Sequence, residues 1–125
     1  MNILSALFID GIELRQNDGA TRIDLTGIQF SAPPPGPFPF VWAPHLCVIV
    51  HNPPDARPDA VLEVRFERDG EQIARNVQPL QVEPGKFNRS LVRAEMEFAS
   101  PGTVEAHCRL DMGPVTVVPY TIFEA

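Results

Sequence analysis

Glutamates stand at alternate or near-alternate positions in three runs of this chain: Glu63 and Glu67, Glu95 and Glu97, and Glu105. Two residues of extended chain span about 6.6 Å, so such carboxylates fall at the separations that glycosidases use for acid, base and nucleophile. Any strand with glutamate at every second position offers the same spacing. Arg65, Arg93 and Arg109 are interleaved with the glutamates. Cross-strand ion pairs on a solvated sheet face account for the pattern without catalysis.

A metal site would draw on His45, Cys47, His51, His107 and Cys108. His45 and Cys47 share one strand face, about 7 Å apart along the backbone. His51 shares that face but lies about 20 Å away, too far to join them. His107 and Cys108 are adjacent in sequence and point to opposite faces of a strand. At most three groups converge, and only if the strand holding Cys47 neighbours the one holding Cys108. Paired ligand spacings such as C-x-x-C are absent, so neither a metal nor any other cofactor is expected. The chain also lacks a G-x-S-x-G elbow, a phosphate-cradling glycine loop and an H-E-x-x-H motif. The expectation is that the protein is not an enzyme; a small enzyme or metalloprotein is the more distant alternative.

The third constellation is aromatic. In PPPGPFPFVWAP, residues 33–44, six of twelve residues are proline and Phe38, Phe40 and Trp42 recur at every second position. Prolines without amide hydrogens hold such a segment extended, at an edge or in a crossover. In an extended chain the three rings project to one side. Facing water, they would form an apolar platform for a sugar or a peptide. Facing inward, they would staple the segment onto the fold and protect an edge from pairing. Packing is the expectation, and ligand binding by Phe38, Phe40 and Trp42 the alternative.

The elements that must position these groups are strands. In VLEVRFE, Leu62, Val64 and Phe66 share one face and Glu63, Arg65 and Glu67 the other. LVRAEMEF places Val92, Ala94, Met96 and Phe98 inward, and TVEAHCRL does the same with Val104, Ala106, Cys108 and Leu110. Strands with one apolar and one polar face build antiparallel sheets packed on one side, and two such sheets face to face make a sandwich. Asp69-Gly70 marks a tight hairpin, Asn17-Asp18-Gly19 and Asp111-Met112-Gly113 mark turns, and Pro84-Gly85 and Pro101-Gly102 punctuate two more junctions. The predicted strands cover about residues 3–9, 12–15, 21–30, 45–51, 60–68, 72–82, 89–98, 103–110 and 115–123.

Length and charge bound the remaining possibilities. The 125 residues form one domain, able to bury roughly two thirds of its unfolded surface without metal or disulfide. Fourteen prolines and eight glycines between apolar runs favour short strands and turns over helices. A net charge of -6, with a single lysine and scattered arginines, disfavours nucleic acid and anionic membranes as partners. MNILSALFIDG has no basic start and its apolar stretch ends at Asp10, so it does not read as a signal peptide. No apolar run reaches the ~18–20 residues of a membrane span. A soluble, cytoplasmic protein is expected, in which Cys47 and Cys108 are buried thiols. An immunoglobulin pairing of the two cysteines is disfavoured, because Trp42 precedes Cys47 and Ala106 stands where a tyrosine would be wanted.

Taken along the chain, Ala6-Leu7-Phe8 and Asp10, Leu25-Thr26-Gly27, Phe38-Pro39, Leu46–Val50, Val64–Gly70 and Pro101–Cys108 form a series of short motifs. The series resembles a family of small uncharacterised bacterial β-sandwich proteins, a domain of unknown function, over nearly the whole chain. Val104 departs from it, standing where an aromatic is usual. The resemblance implies a β-sandwich and carries no catalytic residue with it. The reading is therefore all-β: a single-domain antiparallel β-sandwich of eight or nine strands over residues 1–125, immunoglobulin-like or jelly-roll-like in architecture. Its expected role is a non-enzymatic interaction module that binds a protein partner or itself. A small-ligand or carbohydrate-binding sandwich is the alternative.

Overall fold

The computed structural model describes residues 1–93 and 95–124, which hold twelve β-strands and no helix. The strands are β1 (Asn2–Ile9), β2 (Gly11–Asn17), β3 (Ala20–Thr26), β4 (Ser31–Ala32), β5 (Phe40–Trp42), β6 (His45–His51), β7 (Asp59–Arg68), β8 (Glu71–Gln81), β9 (Phe87–Arg93), β10 (Met96–Phe98), β11 (Gly102–Leu110) and β12 (Thr116–Ile122). They form a five-stranded sheet, β4-β12-β11-β7-β8, a three-stranded sheet, β1-β6-β9, and two ribbons, β2-β3 and β10-β5. Every pairing is antiparallel except the short one between β4 and β12.

One apolar cluster joins the two larger sheets. Ala6, Phe8, Leu46, Val48, Val50 and Val92 enter it from the three-stranded sheet. Leu62, Val64, Phe66, Val104, Ala106, Cys108, Tyr120 and Ile122 enter it from the five-stranded one. The period-two reading of β7 and β11 thus lands in the core residue by residue, while Glu63, Arg65 and Glu67 point the other way. Fully burying a Val, Leu or Phe side chain stabilises by about 1.5–3 kcal/mol, so this inward set dominates the fold's stability.

Twelve strands replace the eight or nine expected, for identifiable reasons. Gly27, at a φ of 64°, ends β3, so the predicted strand over 21–30 stops at Thr26. A Cβ at Gly27 would collide with the Asp10 carboxylate, while the Asp10 amide donates to the carbonyls of Thr26 and Gly27 at 3.0 and 3.1 Å. The predicted strand over 89–98 divides into β9, paired with β6, and β10, paired with β5. Val92, Met96 and Phe98 are all buried across that division, and Ala94, expected inward with them, lies outside the described residues. Two hairpins close as expected. Asp18-Gly19 and Asp69-Gly70 have positive φ at both residues, the backbone that a two-residue primed turn needs.

Asn52 secures the loops beyond β6 and β8. It is fully buried, and its Nδ2 donates to the carbonyls of Arg57 and Val82 at 2.9 and 2.8 Å. Its backbone donates to Lys86 O and accepts from Gly85 N. Replacing Asn52 by Leu strands two buried carbonyls, and a loss of about 2–3 kcal/mol is expected in urea unfolding at unchanged slope. A variant as stable as the parent would show that the two bonds contribute nothing net.

Candidate interaction face

The aromatic segment is built against the core. Phe38, Phe40 and Trp42 are each partly buried and pack on the apolar cluster, while Pro39 and Val41 between them are exposed. Register places Phe40 opposite Phe98 and Trp42 opposite Met96. The Phe40 ring stacks on Phe98 at 5.7 Å, and Trp42 stacks on Tyr120 at 6.0 Å. Tyr120 meets Phe8 edge-on at 5.0 Å, which carries the aromatic column into the three-stranded sheet. The Trp42 indole N–H is buried and has no hydrogen-bond partner among the described residues.

Tyr120 also anchors a polar chain. Its hydroxyl donates to Gln29 Oε1 at 2.6 Å, and Gln29 Nε2 donates to Asp10 Oδ1 at 2.5 Å. The Gln29 amide donates to Phe8 O at 2.9 Å. Burial first, and the Asp10 charge second, raise the Tyr120 hydroxyl above the usual phenol range, so it remains a donor.

The histidines and cysteines are kept apart. β6 pairs with β1 and β9, so Cys47 lies opposite Leu7 and Leu91, not beside Cys108 on β11. Both cysteines are buried free thiols. Burial pushes Cys108 up to about 12 and also raises Cys47, the latter opposed by Arg89. Thiols so raised are poor nucleophiles at neutral pH. Among the described residues no three His, Cys, Asp or Glu side chains gather in a way that could hold a metal ion.

The glutamates of β7 and β11 come together on the outer face of the five-stranded sheet. Pairing of β11 with β7 sets Glu105 beside Glu67, His107 beside Arg65 and Arg109 beside Glu63. Glu63 is the hub, with its side chain only 12% exposed. It accepts from Arg75 Nη2 at 2.7 Å and Arg75 Nε at 3.0 Å, and from Arg109 Nε at 2.9 Å. Arg65 lies 3.8 Å from Glu63 and 3.5 Å from Glu67. His107 Nε2 sits 3.6 Å from Glu67 and 3.5 Å from Glu105, too long for hydrogen bonds. Glu95 and Glu97 are exposed elsewhere, on and before β10, and take no part.

Around this ion-paired centre the sheet turns aliphatic side chains to solvent. Val61, Ile73, Val77, Val115 and Val117 are 39–47% exposed. β8 explains half of them. Its pairing with β7 sets Gln78 opposite Leu62 and Asn76 opposite Val64, which points the amides inward, and sets Val77 opposite Glu63, which points the valine outward. The other flank is β12, where Val117 lies opposite His107 and Pro119 opposite Glu105. Single-sequence periodicity misses this face, because nothing in the run EQIARNVQPLQ says which of its two half-apolar sides is covered.

Two measurements follow from this geometry. Hydrogen bonds from Arg75, then the Arg109 charge and hydrogen bond, hold the Glu63 carboxyl below the usual range, while burial opposes them. A depressed folded-state pKa stabilises fully above the ordinary glutamate value of about 4.3, and that contribution is lost as pH falls through the lower one. Carboxyl NMR titration is expected to place Glu63 below the ordinary value in the parent and move it upward in Arg75→Gln; no movement would exclude Arg75 as the cause. Trp42→Ala is expected to cost about 3 kcal/mol in thermal unfolding, and Trp42→Phe clearly less, since the indole N–H has no bond to lose. Equal stability of parent and Trp42→Ala would contradict a packing role for the ring.

No protein-family model and no curated protein matches this chain.

Proposed function

We propose that the chain is a non-enzymatic interaction module that binds a protein partner or itself through the outer face of β12-β11-β7-β8. In this reading it is a single cytoplasmic domain, a β-sandwich of immunoglobulin-like or jelly-roll-like architecture, akin to the small bacterial family whose motifs it resembles. The observation that carries the reading is the orientation of β8. This strand spends its inward positions on Asn76 and Gln78 and its outward positions on Ile73 and Val77. A strand facing only water would gain stability from the reverse arrangement, because each aliphatic side chain left outside forgoes burial. Grouped exposed aliphatics rimmed by polar residues are typical of protein interaction sites.

The electrostatics of the face agree with binding rather than chemistry. Its carboxylates are engaged by arginines: Glu63 by Arg75 and Arg109, Glu67 by Arg65. A catalytic carboxylate needs a proton to move and a cleft to exclude water, whereas this sheet face is open and its acids are neutralised in place. A sugar platform made of Phe38, Phe40 and Trp42 is less favoured, because Phe40 and Trp42 already stack on Phe98 and Tyr120.

Affinity capture with the tagged chain, compared with Val77→Lys and Val117→Lys variants, tests the reading. Both valines are exposed, so the variants are expected to melt with the parent. Partners, the chain itself included, are expected to be retained by the parent and lost by both variants. Retention by variant and parent alike would overturn the assignment of this face.

A further inference from the structure

We infer that the occupant of this face is a second copy of the same chain, held in a reversible dimer. The inference rests on the assignment of the face as an interaction surface and adds the identity of its partner. The argument begins with charge. The chain carries a net charge of -6, yet the central rows of the face hold three carboxylates, Glu63, Glu67 and Glu105, against three guanidinium groups, Arg65, Arg75 and Arg109. The excess negative charge therefore lies away from this face. Two copies approaching by most of their surfaces meet like-charge repulsion, and approaching by this face they meet a locally neutral one.

The pairing within the face selects further. Glu63, the most enclosed of these acids, already accepts three hydrogen bonds from Arg75 and Arg109 of its own chain. A partner is not required to supply a basic group to it, so a strongly basic protein or a nucleic acid gains little here. What the face offers is aliphatic area on two flanks, Val61, Ile73 and Val77 on one side and Val115 and Val117 on the other. A neutral surface with aliphatic flanks and a satisfied polar centre is complementary to its own copy, as a two-fold interface requires.

Size sets the strength. Four neighbouring strands at about 4.8 Å spacing and about six residues at 3.3 Å give a face of roughly 400 Å² in projection. Two copies then bury on the order of 1,000 Å² of accessible surface, the low end for specific association. The dimer is accordingly a weak one, with a dissociation constant in the micromolar range.

Sedimentation velocity of the full chain, from low micromolar to submillimolar concentration, is the test. The parent is expected to shift from monomer to dimer across that range, with Val77→Lys and Val117→Lys weakening association by about tenfold or more. Phe87→Lys, which alters an exposed aromatic on β9 of the other sheet, is expected to sediment as the parent does. Because the charges of the face are paired within each chain, added salt is expected to leave the dimer intact; dissociation by salt would overturn the charge argument. A parent that stays monomeric throughout overturns the second-copy inference. If both valine variants then still lose a captured partner, the interaction face itself survives with a different occupant; if they lose nothing, both readings fall. A parent dimer indifferent to both valine substitutions places the contact elsewhere and also overturns the inference.

Discussion

The pairing of β7 with β11 on one side and β8 on the other is the constraint on which the remaining structure depends. Side chains alternate along a strand, so one choice of register decides the side of every residue in three strands at once. With Val64 set opposite both Cys108 and Asn76, the row Leu62, Val64 and Phe66 enters the core and Glu63, Arg65 and Glu67 leave it. A slip by one residue would bury three charges and expose three large apolar groups. The charges, once outside, find their partners across the strands, and so the ion-paired centre is a by-product of the same registration that makes the core.

Apolar contact alone does not hold the two larger sheets together. Trp42, Tyr120 and Phe8 form a column of rings running from the β5-β10 ribbon through β12 to β1. Beside it, the Tyr120 hydroxyl, Gln29 and Asp10 form a hydrogen-bonded chain that ties the same strands. Aromatic stacking in this column tolerates some sliding, whereas the hydrogen bonds fix direction. Together they locate the irregular segment after Gly27, which has little ladder bonding of its own beyond the bridge of Gln29 to Phe8.

How far the sequence discloses all this varies with the element. β7 and β11 were legible because their alternation is strict and both faces are chemically distinct. The cysteines were legible as buried, but not that β6 and β11 lie in different sheets, since nothing local reports strand order. β4, β5 and β10, of two or three residues each, are too short for any period to register. The ion-paired centre was half legible: alternate charges announce an outward face, yet the meeting of His107 with Glu67 depends on residues 40 positions apart in sequence. The orientation of β8 was hidden for a physical reason. Its residues are mixed on both sides, and its partner strand, with a register shift between Phe66 and Glu67, decides which side is covered.

The order of the strands in the five-stranded sheet has a consequence for synthesis. β7 can zip to β8 as soon as Asp69-Gly70 has turned, but its other neighbour, β11, and the strand beyond it, β12, are translated later than every other strand. At about 5–20 residues per second the nascent β7-β8 hairpin waits several seconds with one edge unpaired and Leu62, Val64 and Phe66 uncovered. An open edge with an apolar row is a template for pairing with another nascent chain. Glu63, Arg65 and Glu67, spaced along that same edge, are the charged interruptions that discourage such pairing. The residues that later knit the sheet face thus first act as gatekeepers on the ribosome.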